Sequence, residues 1–170
     1  MVKNTGLPTL NLLCDLLNNA ILFSRRGNED SGSEDYSYIW RESIEYGDES
    51  HSRGLENILV SAVRDAATLL VELNACKLDE AISILERNNW NVFRRIVFYL
   101  LAVFPNKALK FISDRLTNEA LFKDHSIRHE YARLLNKCFD LLQPEQRQAI
   151  FGWIEKGDSE TNAPWCYRNW

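Results

Sequence analysis

The sequence predicts an all-α protein, made of antiparallel helical hairpins that stack as a short α-solenoid. Apolar residues recur at helical spacing along most of the chain, and no alternation typical of a strand reaches a useful length. Only 7 Gly and 4 Pro occur in 170 residues, which is few for an all-β protein with many turns. Finally, the region from Trp90 to Glu155 contains one hairpin pattern twice, about 38 residues apart, as is typical of α-solenoids.

The repeat is carried by apolar residues that coincide when the first copy is shifted by 38 positions. Pro105 and Pro144 lie 39 residues apart, and each follows the first helix of its copy. A single hairpin cannot bury its own apolar face, so stacked neighbours should form the core and leave a groove for a partner. The coinciding pairs are Phe93 with Tyr131, Ile96 with Leu134, Val97 with Leu135, Leu100 with Cys138, Leu101 with Phe139, Phe104 with Leu142, Ile112 with Ile150, and Leu116 with Ile154.

The first helix should span residues 8–24 and bury one apolar face. Residues 27–35 are polar and acidic, which predicts a linker or long loop. The aromatic stretch that follows, residues 36–44, should be anchored by Ile39, Trp40 and Ile44 and has room for a short helix. The inward face predicted for the first helix consists of Leu10, Leu13, Leu17, Ala20 and Ile21.

A clear amphipathic helix of about five turns is predicted for residues 55–73. A shorter helix should follow at residues 78–88, and Asn89 or Asn91 is positioned to cap the next one. The apolar stripe of the longer helix, which we expect to face the core, consists of Leu55, Ile58, Leu59, Ala62, Val63, Ala66, Leu69, Leu70 and Leu73.

The helix predicted for residues 92–104 is apolar almost all round, so it should lie at the centre of the packing. Its hairpin partner should occupy residues 106–116, and a small connector, residues 118–123, leads to the second hairpin. Pro144 opens the last helix, in which Ile150, Trp153 and Ile154 should be buried.

These elements divide the chain into an N-terminal helix (1–26), an acidic loop or linker with an aromatic anchor (27–53), a helical-repeat body (54–157) and a C-terminal tail (158–170). The net charge is −4. Residues 27–50 alone carry eight acidic side chains against Arg41, a charge of −7, and leave +3 on the remainder. A body so close to neutral lacks the basic face of a nucleic-acid-binding protein, so we expect no nucleic-acid partner.

Membrane insertion and export are not predicted either. The longest apolar run, Ile96 to Val103, is far shorter than the roughly 20 residues that span a bilayer. The apolar N-terminal segment is interrupted by polar residues, and no cleavage site of small residues follows it. The four cysteines, Cys14, Cys76, Cys138 and Cys166, are isolated and have no zinc-binding spacing. We expect a reduced, cytoplasmic protein without a cofactor.

His125 and His129 are the strongest candidates for chemistry. They lie four residues apart near two carboxylates, so they share a helical face as two metal ligands would. The spacing is not that of a zincin, however, and Asp124 or Ser126 can equally cap a helix here. Arg94 and Arg95 interrupt the most apolar helix. Since a buried guanidinium must be paired, we expect a neighbouring acid such as Glu80 or Glu86 to partner them.

No phosphate-binding loop, dinucleotide fingerprint or nucleophile elbow is present. The favoured function is therefore a non-catalytic interaction or scaffold module that contacts a protein partner or an adjoining domain. The alternatives are a small metal-dependent enzyme that uses His125 and His129, and a helical-repeat nucleic-acid binder. The residues expected to contact a partner are Arg94, His125, Arg128, His129, Trp165 and Trp170.

The sequence also resembles the helical-repeat regions of large bacterial multidomain proteins, HEAT- or TPR-like, some of them similar to the signalling NTPases of antiphage defence. The resemblance covers most of residues 35–157. It is carried by Asp35 to Arg41, by Leu55 to Ala67, by Trp90 to Pro105 and by His129 to Gly157. These are packing motifs, so the resemblance implies a sensing or scaffolding role and supplies no catalytic residues. It further implies that this chain is part or a relative of a larger protein.

Overall fold

The structure, a computed structural model, describes residues 6–24, 35–45 and 54–156. Within these ranges the chain forms nine α-helices and three short 3-10 turns and contains no β-strand, which confirms the all-α class. The helices are α1 (Gly6–Ser24), α2 (Ser37–Trp40), α3 (Leu55–Glu72), α4 (Leu78–Leu85), α5 (Asn91–Val103), α6 (Leu109–Leu116), α7 (Glu119–Lys123), α8 (Arg128–Cys138) and α9 (Pro144–Lys156). The 3-10 turns are Pro105–Lys107, His125–Ile127 and Phe139–Leu141.

Helix α5 lies at the centre of the packing, as its sequence predicts. Nine of its thirteen residues are buried, and it packs against α3, α4 and α8. A helix that is apolar on every side is stable only when neighbours cover it on several sides. Helices α3, α4 and α8 therefore supply the cover that α5 requires.

Helix α1 packs along α3 and also contacts α4. Its predicted inward face is largely confirmed, because Leu10, Leu17, Ala20 and Ile21 are buried. The Trp90 indole Nε1 donates a hydrogen bond of 2.7 Å to Asn18 Oδ1 and so fixes α1 against the start of α5.

The predicted inward face of α3 is only partly confirmed. Of the expected stripe, Leu55, Ile58, Leu69 and Leu73 are exposed, whereas Val63 and Leu70 are buried. Helix α3 turns a different side toward α1, α4 and α5. Because α3 carries apolar residues on more than one side, their periodicity does not tell which side packs. The residues that α3 buries are Asn57, Val60, Val63, Arg64, Ala67, Leu70 and Val71.

The two copies of the 38-residue pattern produce similar elements. Helix α5 corresponds to α8 and α6 to α9, and the first helices of the two copies pack on each other. Seven of the eight matched pairs are either buried in both copies or buried in one and half-buried in the other. The clearest departure is the last pair, since Leu116 is buried and Ile154 is exposed. The prediction that Ile154 is buried is therefore wrong, while Ile150 is buried and Trp153 is half-buried as part of the core boundary.

Residues 35–45, which we call the clamp segment, are packed into the helical body, although the sequence places them in an acidic loop or linker. Asp35, Ser37, Arg41 and Ile44 are all buried. The predicted short helix is present as α2, and Ile44 is fully buried as an anchor. Ile39 is not an anchor, because two-thirds of it is exposed, at 67%. The rest of the predicted loop, 27–34 and 46–53, lies outside the described residues.

Three of the four cysteines fall within the described residues, and all three are buried free thiols. Cys14 and Cys138 lie in helices, and Cys76 lies in the turn before α4. No helix in the described ranges combines the length and apolar character that crossing a bilayer requires.

Candidate binding cleft

A buried ion pair between α5 and α8 organises the candidate site. Arg95 Nε and Nη2 each donate to a different oxygen of the Glu130 carboxylate, both at 2.8 Å. The side chains are only 1% and 3% exposed. This two-pronged geometry is the strongest form of an arginine–carboxylate interaction. The expectation that Arg95 is paired is confirmed, but its partner is neither Glu80 nor Glu86.

The same ion pair holds the clamp segment. Glu130 Oε1 accepts a hydrogen bond of 3.1 Å from the backbone N–H of Ile44, and Arg95 Nη2 donates one of 3.1 Å to the carbonyl of Glu42. Each charged group thereby binds a backbone group of the clamp segment, and the Ile44 N–H would otherwise be buried without a partner. The clamp segment is therefore fixed by charge-assisted hydrogen bonds as well as by the Ile44 side chain.

Two further arginines converge on the end of the clamp segment. Arg64 Nη1 of α3 donates to the carbonyls of Ile44 and Glu45, at 2.7 and 3.1 Å. Arg41, within the segment, donates from Nη1 to the Asn57 carbonyl at 3.0 Å. Helices α3, α5 and α8 are consequently joined through one short stretch of chain.

At its other end the clamp segment caps α5. Asp35 Oδ2 accepts a hydrogen bond of 2.7 Å from the N–H of Val92, in the first turn of α5, while Oδ1 accepts one of 2.8 Å from the N–H of Ser37. The first N–H groups of a helix lack partners within the helix and favour a negative charge. The predicted capping by Asn89 or Asn91 is wrong, because Trp90 occupies the N-cap and makes no side-chain cap bond.

A cleft with a volume of about 1100 Å³ lies between the clamp segment, α8 and α9. Part of its wall is charged and includes Glu45 and Arg133, which form an ion pair with each other. Another part is apolar: the rings of Phe139 and Phe151 meet edge to face with centroids 5.3 Å apart, and Ile154 adjoins them on α9. The cleft thus offers fixed polar groups and exposed apolar surface side by side.

The charges along the cleft nearly balance. Arginines 95, 128 and 133 are matched by carboxylates at 42, 45, 130 and 140. Arg133 also lies over the ring of Tyr99, with its Cζ atom 5.3 Å from the ring centroid, and Arg64 lies near the same ring at 5.9 Å. The cleft wall therefore carries no large excess of either charge.

Three of the predicted contact residues meet in this cleft. His125, Arg128 and His129 all line it, on the 3-10 turn and first turn that open α8. Asp124 caps that turn by accepting a hydrogen bond of 2.9 Å from the Ser126 N–H, as predicted. Arg94 lies elsewhere, on the exposed side of α5, where its Nη1 is 2.8 Å from Asp124 Oδ2. Trp165 and Trp170 lie outside the described residues.

The two histidines share the cleft, but a third ligand does not join them there. Within residues 6–24, 35–45 and 54–156, no group of three or more His, Cys, Asp or Glu side chains is arranged to hold a metal ion. The nearest buried carboxylate, Glu130, already binds both Arg95 and the Ile44 N–H.

The apolar half of the cleft and most of the groups that build it were not predicted from the sequence. Phe151 and Ile154 had a usable signal, since they are two large apolar residues three positions apart, and so on one side of a helix. No sequence signal pointed to the pairing of Glu45 with Arg133, because 88 residues separate them along the chain. Comparison of the chain with protein-family models, with curated proteins and with solved structures gave no match.

Proposed function

We propose that this chain is a non-catalytic interaction module, in which helical hairpins stack as a short α-solenoid and the cleft binds a segment of a protein partner or of an adjoining domain. The observation that carries the proposal is the composition of the cleft wall, in which Phe151 and Ile154 are 47% and 41% exposed beside fixed charged groups. Exposed apolar side chains rimmed by polar ones are typical of protein-interaction sites.

The rigidity of the wall supports this proposal. The buried Arg95–Glu130 pair fixes the clamp segment, which forms one side of the cleft, to helix α8, which forms another side. A preformed site loses less conformational entropy on binding than one that must be ordered by its ligand. The stacked-hairpin arrangement is supported by the similar burial of matched residues in the two copies, such as Phe93 with Tyr131 and Ile112 with Ile150.

The partner suited to this cleft is a short segment with one or two large apolar side chains and a few polar groups. The apolar side chains would pack on Phe139, Phe151 and Ile154, while Arg128 and Glu42 supply the charged rim. A few central apolar anchors carry most of the affinity at such sites, and rim charges mainly affect the association rate.

A displayed random-peptide library, selected on the full chain, tests the proposal. We expect selected peptides to bind wild-type protein and to lose about tenfold or more in affinity to Phe151→Ser and Ile154→Asp, about 1.4 kcal/mol or more. Leu109→Asp is the matched control, because Leu109 is similarly exposed on α6 outside the cleft. The melting temperatures of all three variants should stay close to that of wild type.

Failure to select any peptide, or equal binding by wild type and both cleft variants, would contradict the proposal. Elemental analysis of the purified protein separately tests the metal-dependent enzyme that His125 and His129 suggest. Stoichiometric zinc, manganese or iron that is lost in the His125→Ala variant would favour that enzyme over the interaction module.

A further inference from the structure

The apolar part of the cleft wall lies near the end of α9. Phe151 and Ile154 belong to the last two turns of this helix, which ends at Lys156. A helix rises about 1.5 Å per residue, so Phe151 lies only about 8 Å along the helix axis from Lys156. The chain that continues from α9 therefore starts beside the cleft.

The C-terminal tail, residues 158–170, has the composition that the cleft wall suits. Trp165, Tyr167 and Trp170 lie within six positions of the chain. Aromatic side chains bring the largest apolar area per residue and are the usual anchors of a binding interface. The tail thus combines large apolar anchors with a few charges of both signs. Its charged side chains are Asp158, Glu160 and Arg168.

The tail is long enough to return to the cleft. Trp165 is nine residues beyond Lys156, and an extended chain covers up to about 30 Å over that number of residues. This is several times the distance from Lys156 to Phe151 along α9. Gly157 is the residue type that most often follows a helix and lets the chain turn there. The connection therefore permits Trp165 to reach the side chains of Phe151 and Ile154.

The charges of the tail and of the cleft complement each other. Arg128 and His129 line the cleft where α8 begins, and Glu42 and Asp140 line it elsewhere. The tail offers carboxylates for the first group and the guanidinium of Arg168 for the second. Opposite charges at the rim of an interface favour the correct partner and speed its association.

We propose that the C-terminal tail occupies the cleft of its own molecule, with Trp165 and Trp170 on the apolar wall, and that a partner must displace it. This inference rests on the proposed function, because it takes the cleft to be a peptide-binding site and names the segment that regulates it. A short tether gives the tail an effective concentration of about 1 mM. A tail with an intrinsic Kd of about 100 µM then fills about nine-tenths of the clefts and weakens a competing ligand about tenfold.

A synthetic peptide of residues 158–170, labelled with a fluorophore at its N-terminus, tests the proposal by fluorescence anisotropy. Its receptor is the full chain with Trp165→Ser and Trp170→Ser, called the tail variant, in which the attached tail has lost its anchors. We expect the peptide to bind the tail variant with a Kd of about 100 µM or less. It should bind the wild-type chain at least about tenfold more weakly, because the attached tail competes with it.

Variants of the cleft wall show whether the peptide binds there. Added to the tail variant, Phe151→Ser and Ile154→Asp should each weaken peptide binding by about tenfold or more. Leu109→Asp, which changes a similarly exposed residue on α6 outside the cleft, should leave binding unchanged. Circular dichroism confirms that each variant is folded, and a peptide that carries both serines measures non-specific binding.

Three results would overturn the proposal. The first is a peptide that binds the wild-type chain and the tail variant equally, or binds neither. The second is peptide binding that survives in folded Phe151→Ser and Ile154→Asp variants. The third is wild-type protein that sediments at twice the chain mass of 19.8 kDa and returns to the chain mass in the tail variant, because the tail would then occupy the cleft of a second copy.

The failure of this inference is distinguishable from the failure of the proposed function. Library-selected peptides that bind wild type and the tail variant equally, and lose affinity in the cleft variants, would show a binding cleft that the tail does not occupy. A tail peptide that binds as expected, from a chain on which the library yields no other ligand, would support the inference and contradict the proposed partner.

Discussion

Arg95 and Glu130 are charged residues with buried side chains, and burying a charge costs free energy unless the charge is paired. Their contribution comes from the groups they satisfy: the pair neutralises itself and also binds the backbone at Glu42 and Ile44. Removing one member leaves the other buried without a partner, which costs far more than the intact pair contributes.

Glu130→Gln should therefore lower the free energy of unfolding by about 3–5 kcal/mol, because Arg95 keeps its charge and loses its counter-ion. Urea unfolding followed by circular dichroism measures the loss. The double variant Arg95→Met with Glu130→Leu should recover much of it, since no buried charge then remains. Lys123→Ala is the control: its ion pair with Glu119 is more than half exposed on both sides, and its loss should cost less than about 1 kcal/mol. Equal losses in Glu130→Gln and Lys123→Ala would contradict this account.

The buried thiol of Cys14 should make the folded protein less stable at alkaline pH. Burial, with a smaller contribution from Asp15, raises the pKa of its thiol to about 12, whereas an unfolded cysteine titrates at about 8.5. The folded state therefore keeps its proton while the unfolded state loses it, so stability is unaffected at neutral pH and falls as the pH rises above about 8.5. Urea unfolding at several values between about pH 7 and 10 should show this fall, and Cys14→Ala should reduce its slope. An unchanged slope in Cys14→Ala would exclude the thiol as its source.

At the scale of single elements, the sequence was most informative for the inward face of α1 and for α5, which is apolar almost all round. The inward face of α1 and the central position of α5 followed directly from the spacing of their apolar residues. Helix α3 is apolar on two sides, and the side that packs was not the one with the longer stripe. Periodicity reports that a face is apolar, and the neighbours decide which face is buried.

The clamp segment escaped prediction for a different reason. Its composition is that of a loop, and its place in the core depends on hydrogen bonds to residues that are distant in sequence, such as Val92 and Glu130. The charged half of the cleft was hidden in the same way, because Glu45 meets Arg133 only after folding. Local signals found His125, Arg128 and His129, which are adjacent in the chain, and missed the partners that approach them from elsewhere.

The cap that Asp35 provides for α5 should be measurable separately from the rest of the clamp segment. Asp35→Ala removes the acceptor for the Val92 and Ser37 N–H groups, and we expect a loss at the upper end of the 0.5–2 kcal/mol that caps contribute, roughly 2 kcal/mol. Asp35→Asn should cost less, because one amide oxygen remains to accept a bond. Asn118→Ala, at the exposed cap of the short helix α7, is the matched control with a smaller expected loss. Urea midpoints of the three variants give the comparison, and a larger loss at Asn118 would contradict it.

At the scale of the whole molecule, the packing of the clamp segment joins regions that the sequence predicts as separate parts of the chain. A body of residues 54–157 would fold alone if its hairpins supplied their own core, as solenoid repeats do through contacts with their nearest neighbours. Here α1 covers α3 and α4, and residues 35–45 cap α5 and fill the space between α3, α5 and α8. The described residues before 54 therefore supply structure that the following helices need.

A fragment of residues 54–170 should consequently lose its fixed tertiary structure. It would expose Val60, Ala67 and the buried end of α5, and it would leave Arg95 and Glu130 without the backbone groups of Glu42 and Ile44. We expect retained far-ultraviolet circular dichroism, poor dispersion of amide proton signals and a broad urea transition, the features of a compact state without specific packing. Adding residues 1–53 as a separate polypeptide should restore dispersion, because the missing contacts are non-covalent. A fragment that alone gives a dispersed spectrum and a steep transition would contradict this account. The helices after residue 54 would then fold to a fixed tertiary structure without the clamp segment.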